Sequence, residues 1–170
     1  MGVTKLCVLK NVLSEKGHEM CVSSSADGSV ILWDLIWGHH LFRFDSPGNT
    51  GLTIVGNSDF YVCTSEGKIQ GWNTRGDSLD EIQMDCSFKH LGMANGGLIA
   101  SSERCLYIFK WEGDDKQLRF EMSSDNVYGD IDSPNFRGDV TTMVTIETPT
   151  ASLTCCGFQE SGMILVTTHR

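Results

Sequence analysis

Proline is scarce in this chain, three in 170 residues against 18 glycines. Positive charge is scarce as well, with 13 Lys and Arg facing 22 Asp and Glu for a net charge of −9. No apolar run approaches the ~18 residues that a membrane-spanning helix needs, and helical spacing of apolar residues is hard to find. Each shortage excludes something. An acidic chain is repelled by phosphate backbones and anionic membranes, which bind clustered Lys and Arg, so neither nucleic acid nor membrane insertion is expected. Met1 to Leu13 lacks the basic start, continuous apolar stretch and small-residue cleavage site of a secretory signal, and none is expected. What remains, 40% hydrophobic and 21% charged residues, is enough to bury a core. Disorder of the whole is not expected.

Catalytic and metal-binding patterns are also missing. Cys7, Cys21, Cys63, Cys86, Cys105, Cys155 and Cys156 are odd in number and form no C-x-x-C pair. Most lie in strand-like runs such as Leu6-Cys7-Val8 and Tyr61-Val62-Cys63, which favours reduced, buried thiols acting as small hydrophobes over disulfides or metal ligands. That places the chain in the cytoplasm, with the nucleus as the alternative. His18, His39, His40, His90 and His169 have no second ligand at metal spacing, and His39 and His40, adjacent on a strand, point to opposite faces. Nucleophile turns and phosphate-binding loops are absent. Gly92-Met93-Ala94-Asn95-Gly96-Gly97 stands where a hairpin turn is due, with no helix after it to receive a phosphate. Arg75-Gly76-Asp77 and Arg137-Gly138-Asp139 suit tight turns better than adhesion. No catalytic residue, cofactor or metal is expected.

What is present is a repeat, which is sought first because missing it mis-assigns the fold. Ser25-Ala26-Asp27-Gly28-Ser29-Val30-Ile31-Leu32-Trp33-Asp34 aligns without a gap to Thr64-Ser65-Glu66-Gly67-Lys68-Ile69-Gln70-Gly71-Trp72-Asn73, 39 residues on. A third copy, Ser101 to Lys110, puts Phe109 in the aromatic place after a further 37. A hydroxyl residue (Ser25, Thr64, Ser101) stands eight positions before each aromatic, an acid (Asp27, Glu66, Glu103) six before and a large aliphatic (Val30, Ile69, Leu106) three before. Each copy reads as a strand, a tight turn and a second strand. Further strand candidates lie upstream (Thr4 to Lys10, Leu52 to Val55, Lys89 to Met93) and downstream (His40 to Phe44, Leu79 to Met84, Gln117 to Met122). Four short strands per repeat is the layout of a propeller blade.

The run from Ser25 to Trp33-Asp34 resembles the WD-repeat signature. The second copy keeps the Trp with Asn73, and the third has Arg104 for Gly and Phe109 for Trp. The resemblance covers about 120 residues and implies an all-β fold of four-stranded antiparallel blades. It also implies a hydrogen-bonded set within the blade, carried over here as Ser25, Asp27 and Trp33, and more weakly Thr64, Glu66 and Trp72. The loop His of that set is missing, since Gly17-His18 and Gly38-His39 are both out of place. Asp27 is therefore expected to bond turn groups and no ligand, and Trp33, Trp72 and Phe109 to occupy equivalent, largely buried places.

The blades are read at about 3–44, 51–84 and 88–122, followed by an acidic loop at 123–139 and an incomplete blade at 140–170. Within the last, Leu153-Thr154-Cys155-Cys156 and Met163 to Thr168 resemble the first two strands of a fourth copy. About three and a half blades are too few for the seven-bladed ring usual in this family. The chain is expected to be part of a longer protein, with a partner supplying blades, or an unusual closure, as alternatives. The expected function is a protein-protein interaction scaffold and not an enzyme; the alternatives are a propeller-based enzyme and a structural segment without a ligand. An isolated chain is expected to self-associate through its open flank. Trp37, in a loop, is read as folding down onto the blade rather than serving as an exposed anchor.

Overall fold

The computed structural model describes residues 2–9, 19–56, 58–94, 96–103, 105–113, 117–123, 139–147, 152–158 and 164–169. Gly17-His18, Arg104, Arg137-Gly138, the Ser161-Gly162 turn and the acidic stretch apart from Ser123 and Asp139 lie outside the described residues. Among those described, every regular element is a β-strand, and no helix is long and apolar enough to cross a membrane. Two compact units divide the chain, Met1–Asp85 and Cys86–Arg170.

The first unit holds two four-stranded antiparallel sheets. Sheet 1 is β1 (Val3–Leu9), β2 (Met20–Ser25), β3 (Ser29–Asp34) and β4 (His39–Asp45), and sheet 2 is β5 (Asn49–Val55), β6 (Asp59–Thr64), β7 (Lys68–Asn73) and β8 (Ser78–Gln83), each in sequence order. Glycines at positive φ, Gly28 at 88° and Gly67 at 81°, turn the chain between the second and third strands, where a side chain would be strained. Between the sheets lies one apolar core. Leu9, Met20, Val22, Val30 and Leu32 of sheet 1 meet Leu52, Phe60, Val62 and Trp72 of sheet 2, and the Phe44 ring lies 5.1 Å from that of Trp72 and 5.5 Å from that of Phe60. Burying each large apolar side chain contributes about 1.5–3 kcal/mol.

The second unit holds sheet 3, of β9 (His90–Ala94), β10 (Gly97–Ser101), β11 (Leu106–Glu112) and β12 (Gln117–Ser123), and sheet 4, of β13 (Val140–Glu147), β14 (Ser152–Phe158) and β15 (Ile164–His169). Ile99, Leu106 and Ile108 pack on Val140, Met143 and Cys156. Gly92 permits the approach, because a Cβ there would come within 2.8 Å of Thr145 Oγ1. The sequence reading of the fourth copy needs a correction. Residues 152–158 and 164–169 are its second and third strands, because Val140–Glu147 pairs ahead of them as the first. The aromatic place therefore lies within the chain and falls on Thr167, which pairs with Thr154 as Trp33 pairs with Cys21.

Register makes the copies comparable residue by residue. Trp33, Trp72 and Phe109 pair with Cys21, Phe60 and Leu98 of the preceding strand, three places along from Val30, Ile69 and Leu106. On the other side each aromatic stands directly after a register shift against the fourth strand. One β-bulge at one place in three sheets bends each outer strand alike. The gap-free alignment fails only before the third turn. Ser101 pairs with Leu106, whereas Ser24 and Cys63, not Ser25 and Thr64, pair with Val30 and Ile69. The third hairpin is one residue shorter.

Equivalent places are not equally covered. Trp72 and Phe109 are 8% and 0% exposed, and Phe88, Tyr107 and Phe120 gather around Phe109. Trp33 is only half-buried, because alternation along β3 sends it to the face of sheet 1 opposite the core that holds Val30 and Leu32. Truncating Trp72 or Phe109 to Ala should therefore cost about 3–5 kcal/mol in urea unfolding, and Trp33→Ala clearly less. Equal losses at all three would contradict this account of the faces.

Asp27 supplies a pH test. The Ser29 hydroxyl, 2.6 Å away, and then the Ser29 amide at 2.9 Å hold its carboxyl at about 2, against 3.8 ordinarily. Because the folded pKa is depressed, its contribution is present above 3.8 and is lost as pH falls through about 2. The stability difference between the protein and its Asp27→Asn variant should thus shrink over that acid window and be flat near neutrality. A gap that widens in acid would contradict the assignment.

Candidate protein-docking site

The residue after the aromatic fixes the next turn. Asp34, buried at the end of β3, accepts hydrogen bonds on Oδ1 from the Ile36 and Trp37 amides at 2.8 and 2.9 Å. The Gly38 amide donates to the Asp34 carbonyl and the Leu35 amide to the Glu19 carbonyl. Asn73 repeats the device, its Oδ1 accepting from the Arg75 and Asp77 amides at 2.9 and 3.0 Å and its Nδ2 donating to Asp77 Oδ2. The Arg75-Gly76-Asp77 tripeptide is thereby absorbed into a turn. Lys110 follows Phe109 and offers no acceptor, so β11 runs on to Glu112.

In sheet 1 the turn held by Asp34 carries an apolar load. Leu35, Ile36 and Trp37 are 45%, 56% and 70% exposed. The expectation that Trp37 folds down onto the blade is overturned, because the two amide bonds to Asp34 fix the turn with the ring facing outward. Beside it a shallow, mainly apolar groove runs over the open face of sheet 1 and is lined by Val3, Leu6, Cys21, Trp33 and Leu35. His40 lies edge-on to Trp33, with ring centroids 6.4 Å apart.

The set implied by the resemblance is not assembled. Asp27 bonds Ser29, and the Trp33 indole Nε1 donates to Ser23 Oγ at 2.8 Å rather than to Ser25. Ser25 Oγ donates to the Gly2 carbonyl and accepts from the Asp27 amide at 3.5 Å, so Ser25 and Asp27 are joined to each other but not to the indole. In the second copy Thr64 Oγ1 accepts from the Lys68 amide at 3.1 Å, while exposed Glu66 contributes its backbone carbonyl to Gln83. The indole takes the hydroxyl of Ser23, on its own face of the adjacent strand. Sequence reasoning missed Ser23, Leu35 and Ile36, although an apolar Leu-Ile-Trp run directly after Trp-Asp, where a polar turn is due, was a legible signal. It missed Asn49 too, whose Nδ2 donates to the Ser25 and Ser46 carbonyls and ties the first turn to β5.

None of the seven cysteines is in a disulfide. Burial pushes Cys63 up to about 11 and Cys156 up to about 12, so both pack as uncharged side chains. Asp139 pairs with Lys89 at 2.7 Å, while the Val140 amide bonds the Glu103 carbonyl.

No family model matches the chain. It is 30% identical over 79 residues to the target of rapamycin complex 1 subunit mip1 of Schizosaccharomyces pombe (strain 972 / ATCC 24843), a match covering 45% of this chain and 6% of that protein. With the small ribosomal subunit protein RACK1 of Glycine max it shares 24% identity over 129 residues, 66% of this chain and 39% of that one. The chain thus spans well under half of the curated relatives it matches. Among solved structures, Saccharomyces cerevisiae Sqt1 superimposes with a TM-score of 0.71 at 14% identity, covering 98% of this chain and 45% of that one. Three ladder-equivalent aromatics, the Trp33-Asp34 turn and these likenesses converge: the chain has the all-β fold of four-stranded propeller blades and is similar to WD-repeat proteins, its repeats resembling theirs in partial and degenerate form.

Proposed function

We propose that the chain is a protein-binding module of a scaffold, engaging its partner through the Leu35-Ile36-Trp37 turn, and that it carries no catalysis of its own. The observation that carries this reading is three large apolar side chains displayed on a turn that Asp34 holds rigid. Apolar anchors on a fixed backbone lose little entropy on docking, and Trp is among the residues that dominate interface energies. The partner is a protein with an apolar pocket. At a net charge of −9, a polyanion would be repelled, which argues against nucleic acid and anionic membranes. Uncovered apolar surface on sheet 1 makes self-association part of the same reading. Thiols outside any disulfide suit a reducing compartment, cytoplasmic or nuclear.

The test replaces Trp37 by Ala. With more than two thirds of the side chain exposed, thermal unfolding should be unchanged. A photocrosslinker at Ile36 should capture a defined partner, and affinity for that partner, measured by calorimetry, should fall roughly 30-fold or more in the Trp37→Ala variant, as for a hot-spot residue. An undiminished affinity would refute the site. Turnover abolished by substitutions that leave the fold intact would instead support the enzyme reading.

A further inference from the structure

We propose that copies of this chain join head to tail, the open face of sheet 1 in one copy docking on the free face of sheet 4 in the next. The inference rests on the reading of the chain as a docking module and names one of its partners as a second copy of itself. Its basis is an interface already present inside the chain. In the first unit the sheet 1 face bearing Cys7, Leu9, Met20 and Val22 covers Leu52, Phe60 and Trp72 of sheet 2. Register carries both halves of that interface to the two exposed faces.

Sheet 4 repeats the covering half. The register shift near the start of β1, between Val3 and Lys5, recurs in β13 between Val140 and Thr142. Counting from it, Val144 and Ile146 stand where Cys7 and Leu9 stand, and their cross-strand partners Cys155 and Leu153 stand where Val22 and Met20 do. Ile164 and Val166 take the register places of Val30 and Leu32. The Met143 face of sheet 4 is occupied by sheet 3, whereas Val144 and Ile146 are 53% and 51% exposed.

Sheet 1 repeats the covered half. By the same count Leu6, Val8 and Trp33 stand where Leu52, Ile54 and Trp72 stand in sheet 2. Leu52 is 1% exposed while Leu6 is 58%. The two residues have the same chemistry at the same ladder place; what differs is the presence of a covering sheet. One chain thus displays an apolar covering face and an apolar face built to be covered. A second copy supplies each to the other, in a heterologous contact between different patches.

The experiment uses the whole chain. Light scattering after size exclusion should show a concentration-dependent oligomer. Leu6→Asp and Val144→Asp alter exposed positions, so circular dichroism and melting should be unchanged, yet each alone should weaken association by about a hundredfold, because every junction would bury an unpaired carboxylate. Mixing the two variants should restore a dimer through the one junction that keeps both native faces, which head-to-head pairing or unspecific aggregation does not do. A monomer at all concentrations, or a mixture that stays monomeric, overturns the proposal. The Trp37→Ala variant separates the two readings: it removes partner binding if the docking turn is right and leaves head-to-tail association intact.

Discussion

A twisted antiparallel sheet with apolar residues on both faces cannot be left alone, and this constraint underlies everything else in the chain. Strand alternation puts Cys7 and Leu9 on one side of β1 and Leu6 and Val8 on the other, so covering one side leaves the other open. Most antiparallel sheets escape by being polar on one face. Sheets 1 and 4 do not, and each needs a cover on both of its faces. The half-exposed Trp33, the groove beside it and the exposed Val144 and Ile146 are the same demand met at one face and unmet at the other.

Layers of this kind stack only if their outer strands bend alike, and polar side chains do much of that shaping. The bulge before Trp33, Trp72 and Phe109 is common to three sheets, but the turns after them are not. Asp34 and Asn73 each offer one oxygen to two backbone amides and stop the strand at once. Where Lys110 stands there is no such acceptor and the strand continues. The Asp of the Trp-Asp pair is thus a turn-fixing residue. Its effect on function is indirect, since it decides that Leu35, Ile36 and Trp37 face outward.

Much of this was legible in the sequence, and the failures have physical causes. Blade order and the aromatic series could be read because tight turns and buried aromatics demand particular residues at particular spacings. The single-residue shortening before the third turn could not, since Ser101 is an acceptable strand residue in either register. The place of the first strand of the fourth sheet was missed because no aromatic marks that repeat: Thr145, Thr154 and Thr167 stand where sheet 1 carries Val8, Cys21 and Trp33. Thr145 suits that place because it faces Gly92, a residue without a side chain. Size was removed on both sides of the contact at once, and a search for large apolar residues passes over such a pair. The hydrogen-bond set implied by the family resemblance failed for a related reason. Ser23, on the same face of the adjacent strand, lies next to the indole and accepts its hydrogen bond, whereas Ser25 stands beyond it at the end of β2.

Trp33 and Trp72 carry the lesson furthest. They share a residue type, a ladder place and a bulge, yet one is half-buried and the other nearly inaccessible. No local pattern distinguishes them, because the difference lies in whether a sheet covers the face. Exposure in a stacked-sheet protein is therefore a property of the layer, inherited by each residue from its position in the stack. A face covered by another sheet is used on that neighbour and leaves only loops for recognition, whereas an uncovered sheet offers a face as well. In this chain both are found on sheet 1, where the Trp37 turn adjoins the groove over Leu6 and Trp33.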